Sequence, residues 1–348
     1  MVRFPVFDGH NDTLTRPYSL LEANEIGHLD LPRAREGGLI GGIFAIYTPP
    51  PESSPERDLF YGATFTEAGY DFPLNSPLEY EYASEFTRSI MASMYEMQME
   101  AGGEVSIITS YEALERNLAE GVFSVVLHFE GAEAIEEDLS NLEAYYSAGL
   151  RSLGLTWSRP NRFGCGVPFR FPDSPDTGPG LTEAGERLIR ECNRLGIMLD
   201  LAHLNEQGFW EVARLSDAPL VVSHAAVHAL CPFTRNLTDA QIDAIGETNG
   251  LMGIIFEPGS LRSDGQPELD TPLEAIVHHI DYVVQRIGID HVAFGSDFDG
   301  ADIPLELGDV TGLPKLTQLL QEYGYDNEAV LKIAYQNWFR VLRESWKQ

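Results

Sequence analysis

The strongest constraint on this chain is a series of eight short apolar runs, at residues 6–8, 39–47, 123–129, 152–157, 197–202, 220–223, 251–256 and 292–298. They are rich in Val, Ile, Leu and Phe and mostly continuous rather than alternating, which is how parallel strands covered on both faces read. A parallel strand cannot be rejoined by a tight turn, so the chain must cross back over the sheet, usually through a helix. Helical periodicity is present between most of the runs, at residues 81–101, 139–148, 182–195, 206–215, 238–247 and 271–287. Thr238 followed by Gln241 fits a capping box, and Thr182 ahead of Ala184 and Gly185 marks another helix start. This alternation predicts an α/β fold, a (β/α)8 TIM-type barrel; an open doubly wound sheet is the rival, because strand count does not show closure. Extra helices are expected at the C-terminus, over 313–322, 327–335 and 337–346. No fixed-period repeat and no linker divides the chain, so residues 1–348 read as one barrel domain.

Composition narrows the partners. With 43% hydrophobic and 10% aromatic residues the chain can build a large core and is not a disordered one. Lys and Arg total 23 against 54 Asp and Glu, a formal charge of −31. Such a field repels polyphosphates, which argues against nucleic acid, and against anionic membrane surfaces for the same reason. No run reaches the eighteen or so apolar residues of a membrane helix. The opening MVRFPVFDGHNDT has no basic segment followed by an apolar one, so no secretory signal is expected. The three cysteines, Cys165, Cys192 and Cys231, are widely spaced and form no CxxC pair. A reduced, cytoplasmic enzyme is the expectation. Two proline-rich stretches, 48–77 and 159–180, predict long βα loops, read equally as binding walls and as solvated or oligomer-contact insertions.

Chemistry is concentrated where the runs end. VFDGHND places His10 and Asp12 two apart, FSVVLHFEG ends in Glu130, IMLDLAH in His203, LVVSH in His224, and HVAFGSDFDG in Asp297 and Asp299. In a barrel the C-terminal strand ends meet at one mouth, where active sites gather. A lone His after a strand is more often a hydrogen-bonded core residue, and Glu130 alone could serve a helix N-terminus. Five strand ends with the same chemistry change that balance, because burying several carboxylates and imidazoles together is costly unless a cation compensates. Three His and two or three carboxylates suit zinc or a similar metal, and outnumber the three protein ligands of one catalytic zinc; two metals sharing a carboxylate would use them all. His128, two before Glu130, is expected on the same strand face in a supporting role. His228 could neighbour His224, His278 and His279 are expected to be exposed, Asp299 to support the site, and Cys165 to be structural.

DGHND, HFEGAE, LDLAH, VVSHA, the RN pair at 235–236, GSDFDG and the closing NWFRVL at 337–342 resemble, in that order, the renal (membrane) dipeptidase family. The resemblance implies a (β/α)8 barrel with two Zn2+ and a dipeptidase that tolerates a D-residue at the C-terminal position. It implies His10 and Asp12 as ligands of one zinc, Glu130 as the bridge, and His203 with His224 as ligands of the second. Asp297 is then the catalytic acid/base, and Arg235 receives the substrate carboxylate, a task its planar fork suits. Trp157 departs from the family pattern: it stands where a substrate-contacting histidine is expected, and its indole can donate one hydrogen bond or wall the pocket. The implied reaction is hydrolysis of a small dipeptide, L-Xaa-D-Xaa, by hydroxide generated at the metals, with Asp297 moving the proton. Other divalent metals fit the same ligands, and a homodimer is left open. Alternatives are an amidohydrolase acting on N-acyl amino acids, lactones or cyclic amides, and a barrel that has lost catalysis and binds only. Phosphoester chemistry is disfavoured by the lack of an added Lys/Arg cluster.

Overall fold

The apolar runs become the staves of a nearly closed barrel in a computed structural model that describes residues 3–58 and 60–347. The staves are β1 (Val6–Asn11), β2 (Leu39–Tyr47), β3 (Phe123–Glu130), β4 (Leu150–Gly154), β5 (Met198–Asp200), β6 (Val221–Ala225), β7 (Leu251–Ile254) and β8 (Val292–Phe294). They pair in parallel in chain order. The seam between β8 and β1 is closed just beyond β8, by a parallel bridge between Asn11 and Phe298. Across it the Asp12 N–H donates to the Phe298 carbonyl at 2.9 Å and the Asp297 N–H to the His10 carbonyl at 3.0 Å. The barrel prediction therefore holds, and the open sheet is excluded.

Two cores arise from the two faces of each strand. Outward residues such as Val125, Leu127, Phe129, Leu199 and Val222 pack under the crossover helices. Inward residues form a second cluster at the barrel floor, including Phe7, Ile43, Val126, Met198, Val221 and Leu251. The C-terminal helix Asn337–Ser345 plugs that floor with Trp338, which is fully buried and donates its indole N–H to the Phe294 carbonyl at 2.9 Å. Emptying a site of this size costs about 3–5 kcal/mol, so the tail is integral to the barrel.

Boundaries differ from the apolar runs where backbone pairing, rather than hydropathy, decides them. β4 begins at Leu150 and ends at Gly154, which leaves Trp157 on the turn beyond it rather than in a strand. β1 runs on to Asn11 and so carries His10, whereas β8 stops at Phe294, short of Asp297. Helices Leu31–Gly37 and Tyr111–Glu120 were not anticipated, although both carry an N-cap (Asp30, Ser110) and a left-handed glycine after the last turn (Gly38, Gly121). The strand Val105–Ile107, which pairs beside β3, was also unforeseen. The Thr238–Gln241 capping box is present. The predicted helix 327–335 is α-helical only over Asn327–Leu331 and continues as π-helix through Lys332–Gln336.

The two proline-rich loops join. Tyr70–Phe72 of the first pairs antiparallel with Thr64–Phe65 of the same loop on one side and with Phe169–Phe171 of the second on the other, making a small sheet. Its Phe169 ring lies 6.1 Å from the His203 ring, while Phe60 and Phe65 are exposed on the loops, so the unit is both wall and solvent-facing insertion.

Expected exposure fails for His279, which is buried; only His278 of that pair is exposed. His279 Nδ1 accepts from the Val227 N–H at 2.9 Å and Nε2 donates to the Leu261 carbonyl at 2.9 Å, tying helix Glu274–Ile287 to the loop after β6. Burial pulls its pKa from 6.5 down to about 4. As the pH falls through 6.5 the unfolded chain takes up a proton that the folded chain refuses until about pH 4, so stability is lost across that window. The loss reaches about 2 kcal/mol at pH 5. Urea unfolding at pH 7 and pH 5 should show a pH-dependent loss in wild type that is smaller by this amount in His279→Gln; equal losses in the two proteins would rule the assignment out.

Candidate metal centre at the barrel mouth

Along the inward faces a polar layer lies above the apolar floor, and above it the strand ends converge. In β3 the sequence runs Val126, His128, Glu130, from floor to mouth on one face, as strand periodicity requires. In β5 and β6 the second step up is Asp200 and Ser223. All four polar residues are buried.

Glu130 is the centre of the cluster. Its Oε1 lies 3.0 Å from His203 Nε2, and 3.7 Å from both His224 Nε2 and His10 Nε2. His10 Nε2 is also 3.5 Å from Asp12 Oδ2 and 3.9 Å from Asp297 Oδ1. Four groups of three among the described residues could hold a metal ion: His10–His128–Asp200, His10–His224–Asp297, His10–Asp12–Glu130 and Glu130–His203–His224, the last two having Glu130 in common. His203 and Asp297 sit at φ of +62° and +61°, backbone that L-residues rarely adopt and that marks functional turns. Gly300 keeps the space beside them open, since a Cβ there would collide with the carboxylates of both Asp297 and Asp12.

The donor set fits divalent cations. His10 Nε2 and Asp12 Oδ1 are buried without a hydrogen-bond partner. His203 and His224 are held well below the usual histidine pKa by burial first, then by the positive groups near them, Arg235 and His10. Neutral imidazole is the form that binds metal. At His10 burial again pulls the pKa down, but Glu130, Asp12 and Asp297 outweigh it and raise the ring to about 10. Burial lifts Asp297 to about 7 despite the opposing His10, with Asp12 adding to the rise. Crowded carboxylates of this kind favour a cation in their midst.

Around this cluster the other expected residues fall into place differently. Arg235 is buried, gives one hydrogen bond to the His224 carbonyl at 3.2 Å, and makes no ion pair among the described residues. Trp157 is half-buried and lies 5.6 Å from the His203 ring, between Tyr47 at 4.9 Å and Phe169 at 5.6 Å. Arg159, fully buried, stacks on both Tyr47 and Trp157. His128 lies beneath the cluster, as expected, with Nδ1 2.8 Å from Ser152 Oγ. Asp299 supports the first loop: its carboxylate accepts from Thr13 Oγ1 and the His28 N–H, each at 2.6 Å. His228 is not a helical neighbour of His224; it lies in a turn, 2.9 Å from the Asp173 carbonyl. Cys165 is buried, and burial pushes its thiol up, away from the thiolate form that a nucleophile needs. Sequence reasoning missed Asp8, Asp200, Ser158, Ser223 and Ser296, which line the polar layer or brace the cluster. The one signal was positional, since Asp8 and Asp200 stand two or three residues before a histidine of the cluster.

Closed parallel barrel and buried His/carboxylate cluster together define a barrel hydrolase of the metal-dependent type. Comparison with known proteins is specific. The family model described as membrane dipeptidase (peptidase family M19) matches residues 1–347. A metallopeptidase from Rhodobacter sphaeroides, solved with a phosphinate mimic of the dipeptide L-Ala-D-Ala, is 45% identical with a TM-score of 0.94, covering 99% of this chain and 100% of its own. Dipeptidase AC, also a metallopeptidase, is 46% identical with a TM-score of 0.93, covering 99% of both chains. A dipeptidase of Claviceps purpurea, tcpJ, is 28% identical over 348 residues, covering 97% of this chain and 76% of the relative. This chain belongs to peptidase family M19 and is a metallo-dipeptidase.

Proposed function

We propose that the enzyme is a binuclear zinc dipeptidase that hydrolyses small L-Xaa-D-Xaa dipeptides. The observation that carries the reading is the reach of Glu130 Oε1 to ligand nitrogens of both groups. His10 and Asp12 would hold one ion and His203 and His224 the other, with Glu130 shared between them. When bound, such a pair supplies a hydroxide nucleophile at neutral pH and Lewis-acid polarisation of the amide carbonyl. Asp297 takes the proton of the attacking water and delivers it to the leaving nitrogen; a carboxyl raised to about 7 is matched to both steps. Arg235, a buried cation without a protein counter-ion among the described residues, receives the substrate's terminal carboxylate and so orients the amide. Trp157, with Tyr47 and Phe169, walls the side-chain pocket. The D-residue preference draws support from the L-Ala-D-Ala mimic bound by the Rhodobacter sphaeroides relative.

The test is metal content together with hydrolysis of an L-L, L-D and D-L dipeptide set and of the matching C-terminal amides. About two zinc equivalents, preference for L-D, and discrimination against the amides are expected. Arg235→Met should erase that discrimination at a cost of about 2–5 kcal/mol in kcat/KM for the free dipeptide. One equivalent of metal, or equal use of acid and amide, would refute the binuclear or the Arg235 assignment respectively.

A further inference from the structure

The polar layer beneath the mouth contains a hydrogen-bond chain whose proton count has one solution. Asp200 Oδ1 accepts the backbone N–H of Ser223 at 2.8 Å, and Asp200 Oδ2 accepts the Ser223 hydroxyl at 2.5 Å. A serine hydroxyl has a single proton, and here it is spent on the carboxylate, so Ser223 Oγ faces other groups only as an acceptor. His224 Nδ1 lies 2.8 Å from that oxygen and His10 Nδ1 lies 3.5 Å from it. Both rings must then carry their proton on Nδ1. In the neutral, metal-binding form of each ring Nε2 is then bare and aimed into the cluster, where His224 Nε2 faces His203 Nε2 at 3.1 Å and His10 Nε2 faces Asp12 and Glu130. The rings of His10 and His224 lie against each other, 3.8 Å between centroids, so one oxygen can reach both. His203 is braced separately, by Ser158 Oγ at 2.9 Å from its Nδ1.

We infer that Asp200 and Ser223 are positioning residues shared by the two halves of the metal centre: through one hydroxyl they set tautomer and ring orientation for a ligand of each ion. The inference rests on the binuclear reading above. It makes the two ions' affinities depend on the same buried pair, which neither ligand group alone would require. Partners of ligating histidines generally act by fixing the tautomer and raising ligand basicity, and their loss costs about 10–100-fold in metal affinity.

The experiment is metal titration of the apo protein against a chromophoric chelator, resolving both affinities, with apo thermal unfolding alongside. Ser223→Ala should weaken both sites by about 10–100-fold, whereas Ser158→Ala should weaken only one. Ser223→Thr, which keeps the hydroxyl, should restore both towards wild type. Asp200→Asn preserves the shape of the floor but turns its amide donor on Ser223 Oγ. That forces the serine proton toward the histidines, so this variant should match Ser223→Ala, and it stands in should the alanine variant not fold. Loss at one site alone in Ser223→Ala, or both affinities within about twofold of wild type in Asp200→Asn, overturns the shared role while leaving the binuclear reading intact. Wild-type binding of a single equivalent would overturn the binuclear reading and the shared role with it.

Discussion

Asp297→Asn should lower kcat by about 10²–10⁴-fold while the protein retains its full metal content. The substitution isolates the proton-transfer step because it changes little else. Asn tolerates the left-handed backbone that position 297 adopts at φ +61°, and the Gly300 and Ala301 N–H groups that donate to the 297 carbonyl are unaffected. An amide of the same shape still fits against His10, 3.9 Å away, but it cannot take a proton from water. Alanine would be a poorer choice, since it would add backbone strain to any chemical loss. Steady-state rates on an L-D dipeptide, paired with metal analysis of the same sample, decide the matter. Near-normal turnover at unchanged stoichiometry would remove Asp297 from the acid/base role.

Glu130→Gln should have the larger effect on the metals and an opposite effect on the empty protein. A neutral amide oxygen is a poor bridge between two cations, so both affinities should fall by at least about 100-fold, the upper end of what outer partners alone cost, and activity with them. Without metal, burial is the main force raising the Glu130 carboxyl well above its usual range, and Asp12 and Asp297 add to it more than His10 and Arg235 relieve it. Removing a charge from that crowd should leave the apo form at least as stable as wild-type apo. Calorimetry of apo and metal-loaded samples checks both halves. Metal should raise the wild-type Tm strongly and the Glu130→Gln Tm scarcely at all, because stabilisation by a ligand scales with its affinity for the folded state. An equal metal-induced rise in both proteins would displace Glu130 from the centre of the site.

Much of the site was readable because barrel geometry turns sequence position into spatial position. His10, Glu130, His203, His224 and Asp297 each stand at or just past the end of an apolar run, and all lie within one cluster. Period two placed His128 on the face of Glu130, and there it is. The same logic misjudged His279: a helical pattern shows which residues share a face but not which loops will cover it, and the loop after β6 packs on this one. It also had no means of seeing that the two proline-rich loops share a sheet, since register between distant segments leaves no local mark. Trp157 stood out as a departure from a motif, but its place against Tyr47, Arg159 and His203 depends on where β4 stops.

Hydrophobic period and strand-end chemistry in this chain establish parallel strands alternating with helices and His and carboxylate residues gathered at the strand ends, because both patterns are local and legible one segment at a time. Closure of the seam between Asn11 and Phe298 was decided by folding, and so were the sharing of Glu130 between two groups and the pairing of Asp200 with Ser223. Each of these is a contact between residues far apart in the chain. Its distance and proton count are set by shear, strand tilt and packing rather than by any property of a single segment.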